Sequence, residues 1–433
     1  MMDLHLSKEV VMLEQYYVKP QTVDQIRAAW IGEPVEQYVA WLSARGYAPR
    51  TVLSRVPILM SFGKFATDRG ATTWEELPEF VDPFVSEWIA KRGSRKASAA
   101  RRKSFAKEVR GPVDQMLRVV VPGYLGPGRS HKPPNPFVDS APRFFEHLRE
   151  EKGLKESTLE AYRYHLRAFA AYLQDIGLTD SAHLSPAVLS AFVADYGARV
   201  DWASLRNCCG ELRVFLRYLY REGVLTRDLS GAVEAPQTFR LSGLPRSISW
   251  EAVQHVLTGV DRRTAMGKRD YAILLLLITY GLRGAEVAGL TLDHIDWRND
   301  RLRIPERKAG HSTAYPLSST VGGAIIDYLE HGRPKTSYRR VFLRSLAPVT
   351  PIGSAAVSAC AGKYLRRAGV QVPRPGSHTL RHTCVQRLVD RDFSLKTIGD
   401  YIGHRSPSST QIYSKVAIEA LRQVALGDGE EVL

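Results

Sequence analysis

Ser377–Gln386, which reads SHTLRHTCVQ, places two histidines and an arginine within five positions. His378 and His382 stand four residues apart, which puts both on one face of a helix and is compatible with half of a metal site. The glutamate of the zinc motif H-E-x-x-H is missing, and neither a cysteine cluster nor a third obvious ligand lies nearby in the sequence. The stretch therefore favours a phosphate site around Arg381 over a metal site.

Other residues of the C-terminal part have the types that phosphoryl transfer through a protein nucleophile requires. Two guanidiniums can hold the non-bridging phosphate oxygens and stabilise the five-coordinate transition state. A tyrosine suits the nucleophile, since nearby cations lower its pKa from about 10, and a proton donor must protect the leaving alkoxide. The candidates are, in chain order, Arg283, Lys308, His378, Arg381, His404 and Tyr413.

This ordered set resembles the catalytic residues of the tyrosine recombinases, the phage-integrase family. The family pattern is an arginine in a T-G-[LM]-R-x-x-E box, a lysine on a β-hairpin, H-x-x-R, a histidine or tryptophan, and a tyrosine shortly downstream. Each motif alone is weakly specific, whereas the ordered set is specific. The matching residues are Tyr280-Gly281-Leu282-Arg283-Gly284-Ala285-Glu286, Lys308, His378-Thr379-Leu380-Arg381, Gly403-His404 and Tyr413.

The resemblance implies a role for each of the reacting groups. Arg283 and Arg381 would clamp the scissile phosphate of DNA. Tyr413 would attack that phosphate, forming a 3′-phosphotyrosyl bond and freeing a 5′-hydroxyl. Lys308 would be the general acid for the leaving oxygen, and His378 would act as acid and base toward the tyrosine.

The remaining residues of the predicted site have supporting roles in this interpretation. His404 would hydrogen-bond the phosphate, Glu286 would orient nearby basic groups, and His382 would be structural. His311 is the nearby competitor for the role of Lys308. No metal or other cofactor is expected, because the phosphotyrosine ester keeps the bond energy for religation.

Three other enzyme classes are disfavoured by missing motifs. The sequence contains neither the P-loop G-x-x-x-x-G-K-[ST] nor the nucleophile elbow G-x-S-x-G. The stretch GLRGAEVAG differs from G-x-G-x-x-G and follows a predicted helix rather than a strand, so it does not indicate a dinucleotide site.

Composition points to a nucleic-acid partner. The 433 residues carry a net charge of +15, and the basic residues are clustered. The four cysteines form no disulfide or metal pattern, which predicts reduced thiols. No apolar run is long enough to span a membrane, and no signal peptide is evident, so a cytoplasmic, nucleoid-associated protein is expected.

The predicted fold is mainly α-helical, with a small β-hairpin in a tyrosine-recombinase catalytic domain preceded by helical, SAM-like core-binding modules. Pro- and Gly-rich linkers at 123–137 and 235–247 separate an N-terminal helical domain, 1–122, from a core-binding domain, 138–234, and a catalytic domain, 248–433. Tyr271–Tyr280 is expected as a buried helix that ends in a glycine turn, and Arg301–Leu317 as a hairpin.

The first domain is predicted to be a diverged copy of the second. In an ungapped register, apolar residues coincide at helical spacing, Gly46 aligns with Gly153, and Gly70 with Gly177. Pro57 falls inside the copied helix and should shorten or kink it. The basic residues expected to face DNA are Arg95, Lys96, Arg101, Arg102, Lys103, Arg163, Arg167, Arg206, Arg213 and Arg217.

The sequence is therefore interpreted as a site-specific DNA recombinase that acts in integration, excision or transposition of a mobile element. By resemblance, four protomers act on two duplex sites through a Holliday junction, with other recombinases as further partners. The tail after Tyr413 is expected to dock on a neighbouring protomer. Two alternatives stay open: a nicking-closing enzyme like type IB topoisomerases, and a DNA-binding protein without catalysis.

Overall fold

The computed structural model of the protein describes residues 12–92, 98–127, 134–236, 247–305 and 312–403. The chain divides into two compact units, one containing Met1–Gly126 with Gly243–Leu433 and the other containing Pro127–Ser242. The described residues form three large hydrophobic cores, which are N-terminal, central and C-terminal in sequence. The domain boundaries proposed from the sequence remain predictions.

Five helices form the N-terminal module, the described residues between 12 and 126. Helix α3 continues through Pro57, so of the two expected effects the proline does not shorten the helix, and a kink remains a prediction. Val56 and Leu59, on either side of Pro57, are fully buried, and this packing outweighs the hydrogen bond that a proline cannot donate. The helices are α1 Pro20–Ala28, α2 Gly32–Ala44, α3 Pro49–Thr67, α4 Leu77–Arg92 and α5 Ala99–Val120.

Four helices form the central module, the described residues between 134 and 236. The aligned turns adopt the same left-handed conformation in both modules, with φ of 71° at Gly46 and 60° at Gly153, and 92° at Gly70 and 73° at Gly177. Left-handed glycines also follow other helices of the chain, such as Gly223 and Gly369, so the proposed duplication remains a prediction. The helices are α6 Phe144–Glu150, α7 Glu156–Asp175, α8 Pro186–Gly197 and α9 Trp202–Arg221.

The C-terminal region, the described residues from 247 to 403, surrounds the buried helix α11. Its antiparallel sheet has the strand order β1-β2-β3, with Leu302 opposite Tyr315. The elements are α10 Trp250–Thr258, α11 Ala265–Tyr280, α12 Gly284–Gly289, β1 Ile295–Asp296, β2 Arg301–Ile304, β3 Thr313–Pro316, α13 Ser319–His331, α14 Ser354–Arg367, α15 Ser377–Val389 and α16 Leu395–Ile402.

The observed architecture confirms the predicted fold class. The described residues are mainly helical, and strands β2 and β3 lie within the sequence expected to form a hairpin. Helix α11 is buried and ends at a left-handed Gly281, as its apolar sequence indicated. Of the helices in the described ranges, none is both long and apolar enough to cross a membrane.

Candidate active site

Arg283 is positioned by the turn that joins helices α11 and α12. Gly281 ends α11 with a φ of 58°, Leu282 is fully buried, and Arg283 caps the start of α12. Glu286 accepts hydrogen bonds from the backbone N and from Nη1 of Arg283, both at 2.8 Å. This contact fixes the arginine at both ends, which agrees with the orienting role expected of Glu286.

Arg381 reaches the same place from helix α15, and its residue is only 5% exposed. Its Nη1 donates to the carbonyl of Gly281, and its Nη2 donates to the carbonyl of Ile402 at 2.9 Å. Nη2 of Arg283 donates to the next carbonyl, that of Gly403, at 3.0 Å. The fold thus brings the two predicted phosphate-binding arginines together at the ends of α11 and α16.

The carbonyls that hold the arginines belong to helix C-termini. Gly281 and Gly403 are left-handed caps, with φ of 58° and 64°. A Cβ atom at Gly281 would lie 3.2 Å from Sγ of Cys384, so space as well as conformation favours glycine there. The last carbonyls of a helix carry partial negative charge and attract cations. Because a carbonyl has no net charge, these bonds orient the guanidiniums without cancelling their positive charge.

His378 lies in the first turn of α15, before Arg381, and its residue is exposed. Partial removal of the ring from water lowers its pKa below 6.5, and the charges of Arg381 and Arg283 lower the pKa further. The imidazole is therefore mostly neutral at pH 7. A neutral imidazole can accept a proton from a nucleophile.

The described residues include part of the predicted site. Helix α15 also carries His382, which is half-buried one turn after His378. The other catalytic candidates, the competing histidine and two basic candidates lie outside the described residues: Lys308, His311, His404, Tyr413, Arg95 and Lys96. Among the residues that the structure does describe, no group of three His, Cys, Asp or Glu side chains could hold a metal ion.

The basic residues expected on a DNA-facing surface differ in exposure. Arg163 is only 4% exposed, and its guanidinium bonds Asn135 at 2.8 Å, Glu156 at 2.7 Å and Glu160 at 3.2 Å. Contrary to the expectation that it faces DNA, Arg163 is not part of an exposed surface, because nearby carboxylates and the ring of Phe145 hold its side chain inward.

Two more of these arginines hold chain segments within the central module. The guanidinium of Arg213 donates to the carbonyl of Val233 at 2.7 and 3.0 Å, and Nη2 of Arg167 contacts the carbonyl of Pro134 at 3.5 Å. The remaining described candidates are exposed: Arg101, Arg102 and Lys103 on α5, and Arg206 and Arg217 on α9.

Sequence reasoning missed three tyrosines next to the arginine site. Tyr280 immediately precedes Gly281, and Tyr401 immediately precedes Ile402, so both adjoin carbonyls that bind Arg381. Tyr315, in strand β3, donates a hydrogen bond from its hydroxyl to the carbonyl of Tyr401. Tyr280 could have been recognised as a neighbour of the site because it directly precedes the motif that contains Arg283, whereas no local sequence pattern indicated that Tyr315 lies there.

Two family models match this chain in the regions that carry the site and the central module. The model described as phage integrase family matches residues 248–419. The model described as phage integrase, N-terminal SAM-like domain, matches residues 141–223.

Individual relatives agree with these matches. A Sinorhizobium fredii protein named as an integrase/recombinase, y4rA, is 37% identical over 281 residues, covering 65% of this chain and 68% of the relative. The tyrosine recombinase XerD of Listeria monocytogenes is 29% identical, covering 65% of this chain and 95% of the relative.

A solved structure shares the fold. The crystal structure of a lambda integrase tetramer bound to a Holliday junction superposes with a TM-score of 0.50 at 18% identity, covering 65% of this chain and 83% of that one. The chain belongs to the phage integrase family of tyrosine recombinases, which are site-specific recombinases. The family and the site-specific recombination predicted from the sequence are confirmed.

Proposed function

We propose that this recombinase is a strand transferase that cuts and rejoins DNA through a covalent bond to Tyr413. The observation that carries the proposal is the convergence of Arg283 and Arg381 at the ends of α11 and α16. The guanidinium of Arg381 is oriented by carbonyl groups, which leave its positive charge available to a phosphate, and that of Arg283 is held between the carbonyl of Gly403 and the carboxylate of Glu286. Such preorganised cations stabilise the charge of a phosphoryl-transfer transition state.

The proposed reaction needs only groups of the chain and the DNA. The phenolic oxygen of Tyr413 attacks the scissile phosphorus, and His378 accepts the phenolic proton. The bond from phosphorus to the 5′-oxygen breaks, and Lys308 gives a proton to that oxygen, which leaves as a hydroxyl. His404 hydrogen-bonds the phosphate. Reversal with a different 5′-hydroxyl joins the strand to new DNA and frees the tyrosine, so one phosphodiester is exchanged for another.

The proposed partners are duplex DNA and further copies of this chain. A tetramer on paired sites is supported by the shared fold with an integrase whose tetramer was solved on a Holliday junction. The C-terminal tail, which includes Val416, Ile418, Leu421 and Val424, is proposed to dock on the neighbouring protomer. The exposed cations on α5 and α9 are proposed to contact the DNA backbone.

Covalent trapping tests the reaction without knowledge of the target sequence. The protein is incubated with sheared genomic DNA from the cells that carry the gene, and adducts are stopped with denaturant, isolated and sequenced. We expect adducts enriched at a defined sequence with the wild-type protein, and none with Tyr413→Phe, although this variant should still bind DNA. Absence of adducts with the wild-type protein would favour a DNA-binding protein without catalysis.

Supercoiled plasmids separate the recombinase from a type IB topoisomerase. A recombinase of this kind should exchange strands on a plasmid that carries two copies of the recovered sequence, while leaving a plasmid without it unchanged. Relaxation of both plasmids at equal rates would contradict site-specific recombination.

A further inference from the structure

Three buried or half-buried tyrosines around the arginine site form a closed cycle of hydrogen bonds. The hydroxyl of Tyr280, at the end of α11, donates to the carbonyl of Pro316 in β3 at 2.8 Å. The hydroxyl of Tyr315 in β3 donates to the carbonyl of Tyr401 in α16. The hydroxyl of Tyr401 donates to the carbonyl of Thr279 in α11 at 3.1 Å. The three hydrogen bonds therefore link α11 to β3, β3 to α16, and α16 back to α11.

Ring packing reinforces this tyrosine cycle, which consists of Tyr280, Tyr315 and Tyr401. The ring centroids of Tyr280 and Tyr315 lie 5.1 Å apart, and those of Tyr315 and Tyr401 lie 5.0 Å apart in an edge-to-face arrangement. Tyr280 and Tyr315 are each 2% exposed. A hydroxyl costs free energy to bury unless it is hydrogen-bonded, so the three contacts favour one relative placement of the three elements.

The tyrosine cycle continues directly into the arginine site. The carbonyls of Tyr401, Ile402 and Gly403 are consecutive at the end of α16, and they accept hydrogen bonds from Tyr315, Arg381 and Arg283, respectively. A shift of the first carbonyl would move the two that orient the guanidiniums. Small displacements of positioned groups slow a reaction strongly, because catalysis depends on near-attack geometry.

We propose that Tyr315 is a positioning residue for strand transfer. Its hydroxyl holds the end of α16, where the carbonyls of Ile402 and Gly403 orient the two arginines. The hydrogen bonds of Tyr280 and Tyr401 fix β3 and α16 to α11. This inference rests on the proposed strand-transferase function. It assigns the hydroxyl a role in the rate of the reaction rather than in the affinity for DNA.

The substitution Tyr315→Phe tests the inference because it removes only the hydroxyl and keeps the packed ring. On a duplex of the sequence recovered by covalent trapping, we expect the single-turnover cleavage rate at saturating protein to fall about tenfold. The dissociation constant for the same duplex should stay unchanged. Tyr401→Phe removes another bond of the cycle and should slow cleavage in the same direction, which keeps the test decisive if one variant folds poorly.

Tyr364→Phe is the matched control, since it removes a buried tyrosine hydroxyl elsewhere in the same core. The Tyr364 residue is 4% exposed, and its hydroxyl lies 3.1 Å from the carboxylate of Asp270. This variant should lower the melting temperature about as much as Tyr315→Phe while cleaving at the wild-type rate.

A double-mutant cycle with Glu286→Gln reports whether Tyr315 acts through the arginines. Glu286 accepts a hydrogen bond from Nη1 of Arg283, whose Nη2 donates to the Gly403 carbonyl, so the effects of Tyr315→Phe and Glu286→Gln on the rate should be non-additive. Tyr364→Phe and Glu286→Gln should be additive. If the wild-type protein cleaves and Tyr315→Phe cleaves equally fast, or loses only DNA affinity, the inference is overturned. If the wild-type protein does not cleave, the proposed function itself fails.

Discussion

Two arginines with almost the same burial differ in the net charge of the groups that accept their hydrogen bonds. Arg381 in the C-terminal region is 5% exposed and donates to the carbonyls of Gly281 and Ile402. Arg163 in the central module is 4% exposed and donates to the carboxylates of Glu156 and Glu160. Carboxylates neutralise a guanidinium, whereas carbonyl groups orient it and leave its charge in place.

The pKa shifts of neighbouring groups agree with this difference. The hydrogen bond from Arg163 is the largest effect on Glu156 and lowers the pKa of that carboxyl, as expected of an ion pair. Near Arg381 the affected group is the imidazole of His378. Its partial burial is the largest cause that lowers its pKa, and the charges of Arg381 and Arg283 lower the pKa further. The comparison teaches that the anchoring groups, rather than burial alone, set how much of the charge of Arg381 and of Arg163 stays unpaired; Arg283, which contacts one carboxylate and one carbonyl, lies between the two cases.

Replacing each of these two arginines by lysine in a separate variant should have the largest effect, because it distinguishes a role in cleavage from a role in stability. Arg381→Lys keeps the charge but loses the fork that contacts two carbonyls, so cleavage should fall by roughly 100- to 1,000-fold. The measurement is the single-turnover cleavage rate at saturating DNA. Arg163→Lys should lower the melting temperature and leave the cleavage rate of the folded protein unchanged. Equal loss of cleavage in both variants would remove the distinction.

The cations of α5 differ from both arginines because they are exposed, and they are predicted to contact the DNA backbone. Changing Arg101, Arg102 and Lys103 to glutamine should weaken DNA binding and reduce the slope of log affinity against log salt by about 0.9 per lost phosphate contact. The control changes Arg143 and Arg149, which are exposed but paired with glutamates at 3.1 and 3.4 Å. An unchanged slope in the α5 variant would show that the N-terminal module does not contact DNA.

The smallest expected effect is a shift in pH dependence. Because the pKa of His378 lies below 6.5, its neutral form persists to lower pH than that of an ordinary histidine. The apparent second-order rate of cleavage, which reports the free enzyme, should therefore decline only below pH 6.5. His378→Gln should remove this acid limb, whereas the exposed His331→Gln should keep it. An acid limb above pH 6.5 would contradict the proposed base.

The sequence predicted the elements better than it predicted the contacts between them. Apolar periodicity indicated the buried helix before Gly281, and the order of motifs indicated that Arg283 and Arg381 share a site. The sequence also placed Arg163 among the residues expected to face DNA, but it could not show that Glu156, Glu160 and a distant Asn135 draw the side chain inward. The bond from Tyr315 to Tyr401 was likewise inaccessible, because tertiary packing alone brings β3 to the end of α16.

The most direct test of the proposed reaction is to identify the residue that becomes joined to DNA. Adducts trapped with denaturant are digested with nuclease and protease, and the peptide that retains a nucleotide is sequenced by mass spectrometry. We expect the nucleotide on Tyr413, linked through its 3′-phosphate, with a free 5′-hydroxyl on the other DNA fragment. A nucleotide attached to another residue, or through a 5′-phosphate, would contradict the proposed mechanism.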